Sequence, residues 1–183
     1  NIIKSSSEKL SHLVTQLFEY SKLEAKQIEP LKEPFAISDL ATDLVAKYQM
    51  LGKTKNIEIG LEASKHIPLV FADISLVERA IQNLLDNAIK HTPAGGKVKL
   101  NLLSSERDVK IGISDTGIGI RESEQSAIFD RYRQTKRTAS HDGVGLGLAI
   151  VKKIMELHNT TIQVISKPNE GSTFEFYLPS YKV

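Results

Sequence analysis

The chain has no cysteine, which excludes disulfides and thiolate metal centres and leaves a reducing compartment open to it. No apolar run approaches the ~20 residues that a membrane-spanning helix requires. The opening Asn-Ile-Ile-Lys has neither an initiating Met nor a signal-peptide pattern. Charge of one sign is also lacking: 24 Lys and Arg stand against 22 Asp and Glu, a net of +2 over 183 residues. The basic residues are scattered, with no aromatic-rich stripe among them, so nothing argues for DNA or RNA. What is present is an ordinary globular balance, 40% hydrophobic and 25% charged, in a length that suits one domain with an appendage or at most two small domains. Because the chain opens inside an amphipathic pattern, it reads as a piece of a longer protein.

Residues 1–28 are predicted to be helical. Ile3, Leu10 and Leu17 recur at seven-residue spacing, Leu13 and Tyr20 complete the seam, and Ser5, Lys9, Gln16 and Lys22 fall mostly elsewhere. One helix cannot bury such a stripe alone. It either docks on its own domain or pairs with another helix, and the linker marked by Pro30 and Pro34 favours a separate element. Ser38 is placed to cap a helix to about Met50, with Leu40, Leu44 and Val45 on one face. Ile57, Ile59 and Leu61 alternate as in a half-buried strand, and Leu69 to Ala72 is a short apolar one. Asp73 stands at the N-cap of a helix from Ile74 to about His91. Lys97 to Leu103 and Asp108 to Ser114 read as neighbouring strands. The stretch from Arg121 to Asp142 is polar and irregular apart from Ile128, Phe129 and Tyr132. A helix from about Val144 to His158 precedes strands Thr161 to Ser166 and Ser172 to Leu178. Interleaved elements with hairpin-like strand pairs predict an α+β protein, a two-layer α/β sandwich. Its mixed sheet is covered by helices on one face and preceded by an amphipathic helix.

Three motifs carry chemistry. On the helix after Asp73, Asn83, Asn87, Lys90 and His91 fall within roughly a 100° arc at ~100° per residue. Ile81, Leu84, Leu85, Ala88 and Ile89 occupy the inward surface, so the amides border the core. A carboxamide oxygen can ligate Mg²⁺ without cancelling its charge, and Lys90 can offset phosphate charge. Next, Asp115-Thr116-Gly117-Ile118-Gly119 ends a strand. A carboxylate there can accept from an exocyclic amine such as that of adenine, and the glycines allow a tight turn close to a flat base. Third, Gly143-Val144-Gly145-Leu146-Gly147-Leu148 opens a helix, where free amides suit a polyphosphate. No Gly-Lys-Ser/Thr follows, and no predicted strand leads directly into these glycines, so neither a Walker A loop nor a dinucleotide fingerprint fits. Each motif is weak alone. Their order and spacing together are not.

The arrangement resembles the ATP-binding domain of sensor histidine kinases, a branch of the superfamily shared with gyrase-type topoisomerases and mismatch-repair ATPases. Asn83 to His91 looks like the N box, Asp115 to Gly119 the G1 box, Ile128-Phe129-Asp130-Arg131-Tyr132 the F box, and Gly143 to Leu148 the G2 box. Gly171-Ser172-Thr173-Phe174 resembles the closing glycine-threonine element. The likeness runs from about Phe35 to Leu178. It implies a Bergerat-type catalytic domain over 31–183. Residues 1–30 would form the second helix of a dimerisation and phosphotransfer hairpin, ending in Tyr20-Ser21-Lys22-Leu23-Glu24-Ala25. ATP and Mg²⁺ would be the cofactors, with Asn87 on the metal and Asn83 and Lys90 supporting metal and phosphates. Asp115 would receive the adenine amine with Thr173 nearby, and Gly117 and Gly119 would shape the base pocket. Phe129 would belong to the nucleotide site, and His91 would lie adjacent to the nucleotide. Gly143, Gly145, Leu146, Gly147 and Leu148 would frame the triphosphate and hinge a lid over 134–142, and Arg133 would approach the γ-phosphate. The implied partners are a response regulator, the missing hairpin helix and a second subunit. The implied location is the cytoplasm, in a parent protein that can itself carry a membrane anchor.

Tyr132 stands where the family more often has Phe, and Asn159-Thr160 follow His158 where it usually has glycines. Asn tolerates the left-handed backbone that a helix end calls for there. No His followed by an acid and Arg-x-Pro occurs, so the acceptor is expected upstream of residue 1. His12 lacks the adjacent acid and lies on the second helix, not the first. His66, His141 and His158 read as loop or helix-end residues. An ATP-hydrolysing clamp is the alternative from another class, but those relatives resemble Glu-x-x-x-Asn, and Asn83 here cannot serve as general base. A degenerate nucleotide-binding scaffold is a third reading, opposed by the intact Asn87, Asp115 and G2 glycines.

Overall fold

The computed structural model describes residues 14–18, 20–25, 27–131 and 145–181. The expectations placed on Ile3, Leu10, His12, Leu13, Tyr132, Arg133, Gly143 and the 134–142 lid lie outside these residues. Helix α1 covers 14–18 and 20–24. The remaining elements are β1 (Glu33–Phe35), α2 (Ile37–Lys55), β2 (Glu58–Ala63), β3 (Val70–Ala72), α3 (Ile74–His91), β4 (Lys97–Ser104) and β5 (Asp108–Asp115). After these come α4 (Glu122–Gln125), α5 (Gly147–Leu157), β6 (Gln163–Lys167) and β7 (Gly171–Pro179).

Five strands form one sheet in the order β2-β4-β5-β7-β6, with β2–β4 parallel and the other pairs antiparallel. Period-two alternation sends Leu100, Leu102, Ile111, Ile113, Phe174 and Phe176 to one face, where they are fully buried. Ile81, Leu84 and Leu85 of α3 and Ile150 and Ile154 of α5 meet them. Each such side chain contributes about 1.5–3 kcal/mol relative to exposure. The other face carries Lys97–Glu58, Lys99–Glu62 and Lys110–Glu175 pairs. The predicted two-layer α/β sandwich is the fold observed.

Helix α3 has the limits that its sequence predicts. Asp73 caps it, accepting from the Leu76 N–H at 3.1 Å. It ends because Pro93 disfavours helical geometry at Thr92, which is extended and donates its Oγ1 hydrogen to Ala88 O at 2.7 Å. Elsewhere the structure departs from expectation. The N-cap of α2 is Ala36, not Ser38, and that helix runs past Met50 to Lys55. It stops at Asn56, which takes the left-handed conformation at φ 54°. Helix α5 starts at Gly147, with Leu146 as its N-cap residue. The linker contains a short edge strand, β1, in which Pro34 pairs with Phe71 of β3. An edge position tolerates the missing N–H of proline. The end of α1 is not free-standing: Tyr20 and Leu23 are buried, while Val14, Leu17 and Phe18 stay exposed.

Candidate functional site

Helix α3 is the wall on which the three motifs meet. Asn83 is 7% exposed and donates from Nδ2 to Arg79 O at 2.8 Å. This bond fixes the carboxamide and turns Oδ1 toward the mouth of α5, where a Cβ added to Gly147 would meet it at 3.1 Å. One turn on, Asn87 is half-buried, Lys90 is exposed and His91 is half-buried, so the polar arc runs from core to rim. Burial, with Lys90 next to it, lowers His91 to about 4 and keeps the ring neutral near pH 7.

At the end of β5, Asp115 lies on the helix-covered face and is 9% exposed. Burial pushes its carboxyl upward, while backbone hydrogen bonds from Gly117 and Ser172 pull it down. The Gly117 N–H donates to Asp115 Oδ1 at 2.7 Å. A Cβ on Gly117 would stand 2.5 Å from His91 O, so only glycine lets this loop close on the end of α3. Ile118 N donates to the same carbonyl at 3.3 Å. Gly119 turns left-handed at φ 63°, and a Cβ there would collide with Lys167 O in the β6–β7 hairpin. Thus the first glycine seats the loop against α3, and the second seats it against the hairpin.

At the mouth of α5 the N-cap residue is Leu146, whose own side chain offers no cap, and it is preceded by Gly145 at φ 73°. Leu146 is fully buried and anchors the turn, and Leu148 packs partly against the core. The first-turn amides of α5 lie beside Asn83, a position that suits an anion. Phe129 packs edge-on against Phe174, with ring centroids 6.3 Å apart, and so ties the segment after α4 to the core. Among the described residues no group of three or more His, Asp or Glu side chains converges on a metal position. A cation here would be held by carboxamide oxygen together with ligand oxygens, which suits Mg²⁺ arriving on phosphates.

Asn83, His91, Asp115, Gly117 and Gly147 are therefore brought together, with Asn87 and Lys90 on the same helix arc. Thr173 is not on that face. It pairs with Ser114, so its side chain points to the opposite face of the sheet from Asp115, whereas Ser172 pairs with Asp115 directly. Ser172 thus takes the position expected of Thr173. Its alternation with buried Phe174 and Phe176 was the signal available in the sequence. Ser166 was missed as well: its Oγ accepts from Ile120 N at 2.8 Å and lies 3.0 Å from Ser172 Oγ. Gln125 donates to Ile120 O and Ser166 O, at 3.2 and 2.9 Å. These bonds hold the far side of the Asp115 loop, and no sequence pattern announces them.

Residues 72–182 match the histidine kinase-, DNA gyrase B- and HSP90-like ATPase family. The adaptive-response sensory kinase SasA of Synechocystis sp. is 38% identical over 94% of this chain and 45% of its own length. Drug sensory protein A of the same organism is 33% identical over 96% of this chain and 28% of its own length. The chain spans under half the length of these curated relatives. Among solved structures, full-length ShkA in complex with AMPPNP superposes with a TM-score of 0.89 at 27% identity, covering 100% of this chain and 38% of that one. Histidine kinase ThkA in complex with response regulator protein TrrA gives 0.80 at 25% identity, covering 99% of this chain and 50% of that one. The motif order, the mixed sheet and these matches agree: the chain belongs to the histidine kinase-, DNA gyrase B- and HSP90-like ATPase family.

Proposed function

We propose that this chain holds Mg-ATP between α3, the Asp115 loop and the mouth of α5. It presents the γ-phosphate to a histidine outside residues 1–183, from which a response regulator takes it. The observation that carries this reading is that one helix touches both glycine motifs, through His91 O at Gly117 and Asn83 Oδ1 at Gly147. Asp115 would accept from the adenine amine, with Ser172 beside it. Gly145, Leu146, Gly147 and Leu148, with Gly143 upstream, would line the phosphates. Lys90 at the rim would meet phosphate charge, and Arg133 the γ-phosphate. Asn87 would hold Mg²⁺, which when bound neutralises and orients phosphate oxygens.

The residue at the offset of a hydrolytic Glu is Asn83, whose amide is engaged with Arg79 O and cannot take a proton. Water attack is thereby disfavoured. An unprotonated imidazole needs no base, only alignment and charge stabilisation. The ShkA structure with AMPPNP and the ThkA structure with TrrA lend support from related kinases. Residues 1–30 serve as one helix of a phosphotransfer hairpin that pairs with a second subunit, and 31–183 as the catalytic domain. Among the described residues no helix is long and apolar enough to cross a membrane. We place the domain in the cytoplasm, where ATP is supplied.

The test is transfer in trans. The chain is mixed with labelled ATP, Mg²⁺ and a separately supplied hairpin bearing the acceptor histidine. Label should appear on the hairpin and not on the chain itself, ATP hydrolysis alone should be very slow, and Asn87→Asp should impair transfer. Rapid hydrolysis without transfer would instead support the ATPase clamp.

A further inference from the structure

His158 lies at the C-terminal end of α5, the opposite end from Gly147, and is 6% exposed. Its Nε2 accepts from the Asp73 backbone N–H at 3.0 Å, and its Nδ1 lies 2.8 Å from Ile154 O. A carbonyl can only accept and an N–H can only donate, so these two partners fix one species: neutral imidazole with the proton on Nδ1. Asp73 is also the N-cap of α3, and its Oδ2 accepts from the Leu31 N–H of the linker at 2.8 Å. Three segments thus converge on one junction: the linker from α1, the start of the helix carrying Asn83 and Asn87, and the end of the helix that opens at Gly147.

We propose that His158 is a positioning residue that, as the neutral Nδ1-protonated ring, fastens the linker and the start of α3 to the end of α5. Protonation would turn Nε2 from acceptor to donor, directly against the Asp73 N–H. The new cation would also face the Asp73 carboxylate and compete with Leu31 for it, releasing the linker. Burial disfavours that cation most. Lys32 on the linker adds to the effect, and Ile154 O and the Asp73 carboxylate oppose it. The consequence for signalling rests on the proposed function, since it is the helices assigned to nucleotide binding that the junction joins to α1.

The test uses the full 183-residue chain, without nucleotide, by NMR of the imidazole nitrogens and of amide exchange. Near neutral pH the His158 ring should be the Nδ1–H tautomer, and an Nε2–H ring or an imidazolium there overturns the proposal. As pH falls, the Leu31 amide should lose protection about tenfold, the scale of one hydrogen bond, with the midpoint of the His158 ring titration. In His158→Gln, where the side-chain oxygen can accept from Asp73 N–H but cannot titrate, that acid-induced loss should disappear. Release of Leu31 at the same pH in His158→Gln also overturns it. Failure of the chain to bind Mg-ADP would count against the proposed function alone, and the NMR outcomes would still decide the role of His158.

Discussion

Asp115 and Ser172 stand directly opposite each other across β5 and β7, and the Ser172 backbone helps to draw the Asp115 carboxyl down against the upward push of burial. Thr173, one residue on, projects from the other face. Ser172→Val should therefore weaken Mg-ADP binding by about tenfold, the scale of one lost polar contact. Thr173→Val should leave it nearly unchanged. The reverse order, measured by fluorescent-nucleotide competition, would return the base pocket to Thr173.

Two glycine substitutions should separate stability from affinity. Gly119→Ala forces a Cβ into Lys167 O at a left-handed backbone position and should cost about 2–4 kcal/mol of stability. Gly147→Ala meets the Asn83 carboxamide, with Oδ1 at 3.1 Å and Cγ at 3.9 Å. It should leave the melting temperature close to wild type and weaken nucleotide binding, because Asn83 must shift while still bonded to Arg79 O. Thermal melts beside nucleotide titrations of both variants check this.

Acid should destabilise the domain through His91. Its ring is held at about 4 in the fold against an ordinary value near 6.5. The fold thus favours the neutral form, and this contribution is intact above pH ~6.5 and lost as pH falls toward 4. Urea unfolding across that range should show wild type losing more stability than His91→Gln, by at most about 3 kcal/mol. Parallel pH profiles for the two proteins would show that His91 titrates normally.

The docking of α1 depends on Tyr20, whose ring lies 4.8 Å from the Arg131 guanidinium carbon, with Glu24 paired to the same guanidinium. Tyr20→Ala removes a buried ring and should speed protease cleavage within 27–32 by roughly tenfold or more, without changing ADP affinity. Glu24→Gln should have a small effect, since exposed ion pairs contribute about 0–1 kcal/mol. Limited proteolysis of the two variants distinguishes packing from charge.

Much of the fold was legible because α3 and the strands β4, β5 and β7 state their period and their ends in local chemistry. Asp73 and Pro93 bracket α3, and alternation marks the strands. The Asn83, Asp115 and Gly147 positions were legible as motifs, since each needs a residue type that few others can replace. What was not legible depends on register and distance. Thr173 and Ser172 differ only in which face of β7 they occupy, and that is set by pairing with β5. His158 and Asp73 are 85 positions apart, so no local pattern joins them. β1 was hidden by Pro34, which reads as a breaker until an edge strand accepts it.

The central claim is that Asp115 receives the adenine of a nucleotide held against α3. Calorimetric titration of Mg-ADP into wild type and Asp115→Asn tests it most directly. Asn can still accept the Gly117 N–H, so the fold should hold while the adenine contact is lost. Wild type should bind in the micromolar-to-millimolar range, and Asp115→Asn should bind at least about tenfold more weakly at an unchanged melting temperature. Equal affinity in the two proteins would contradict it.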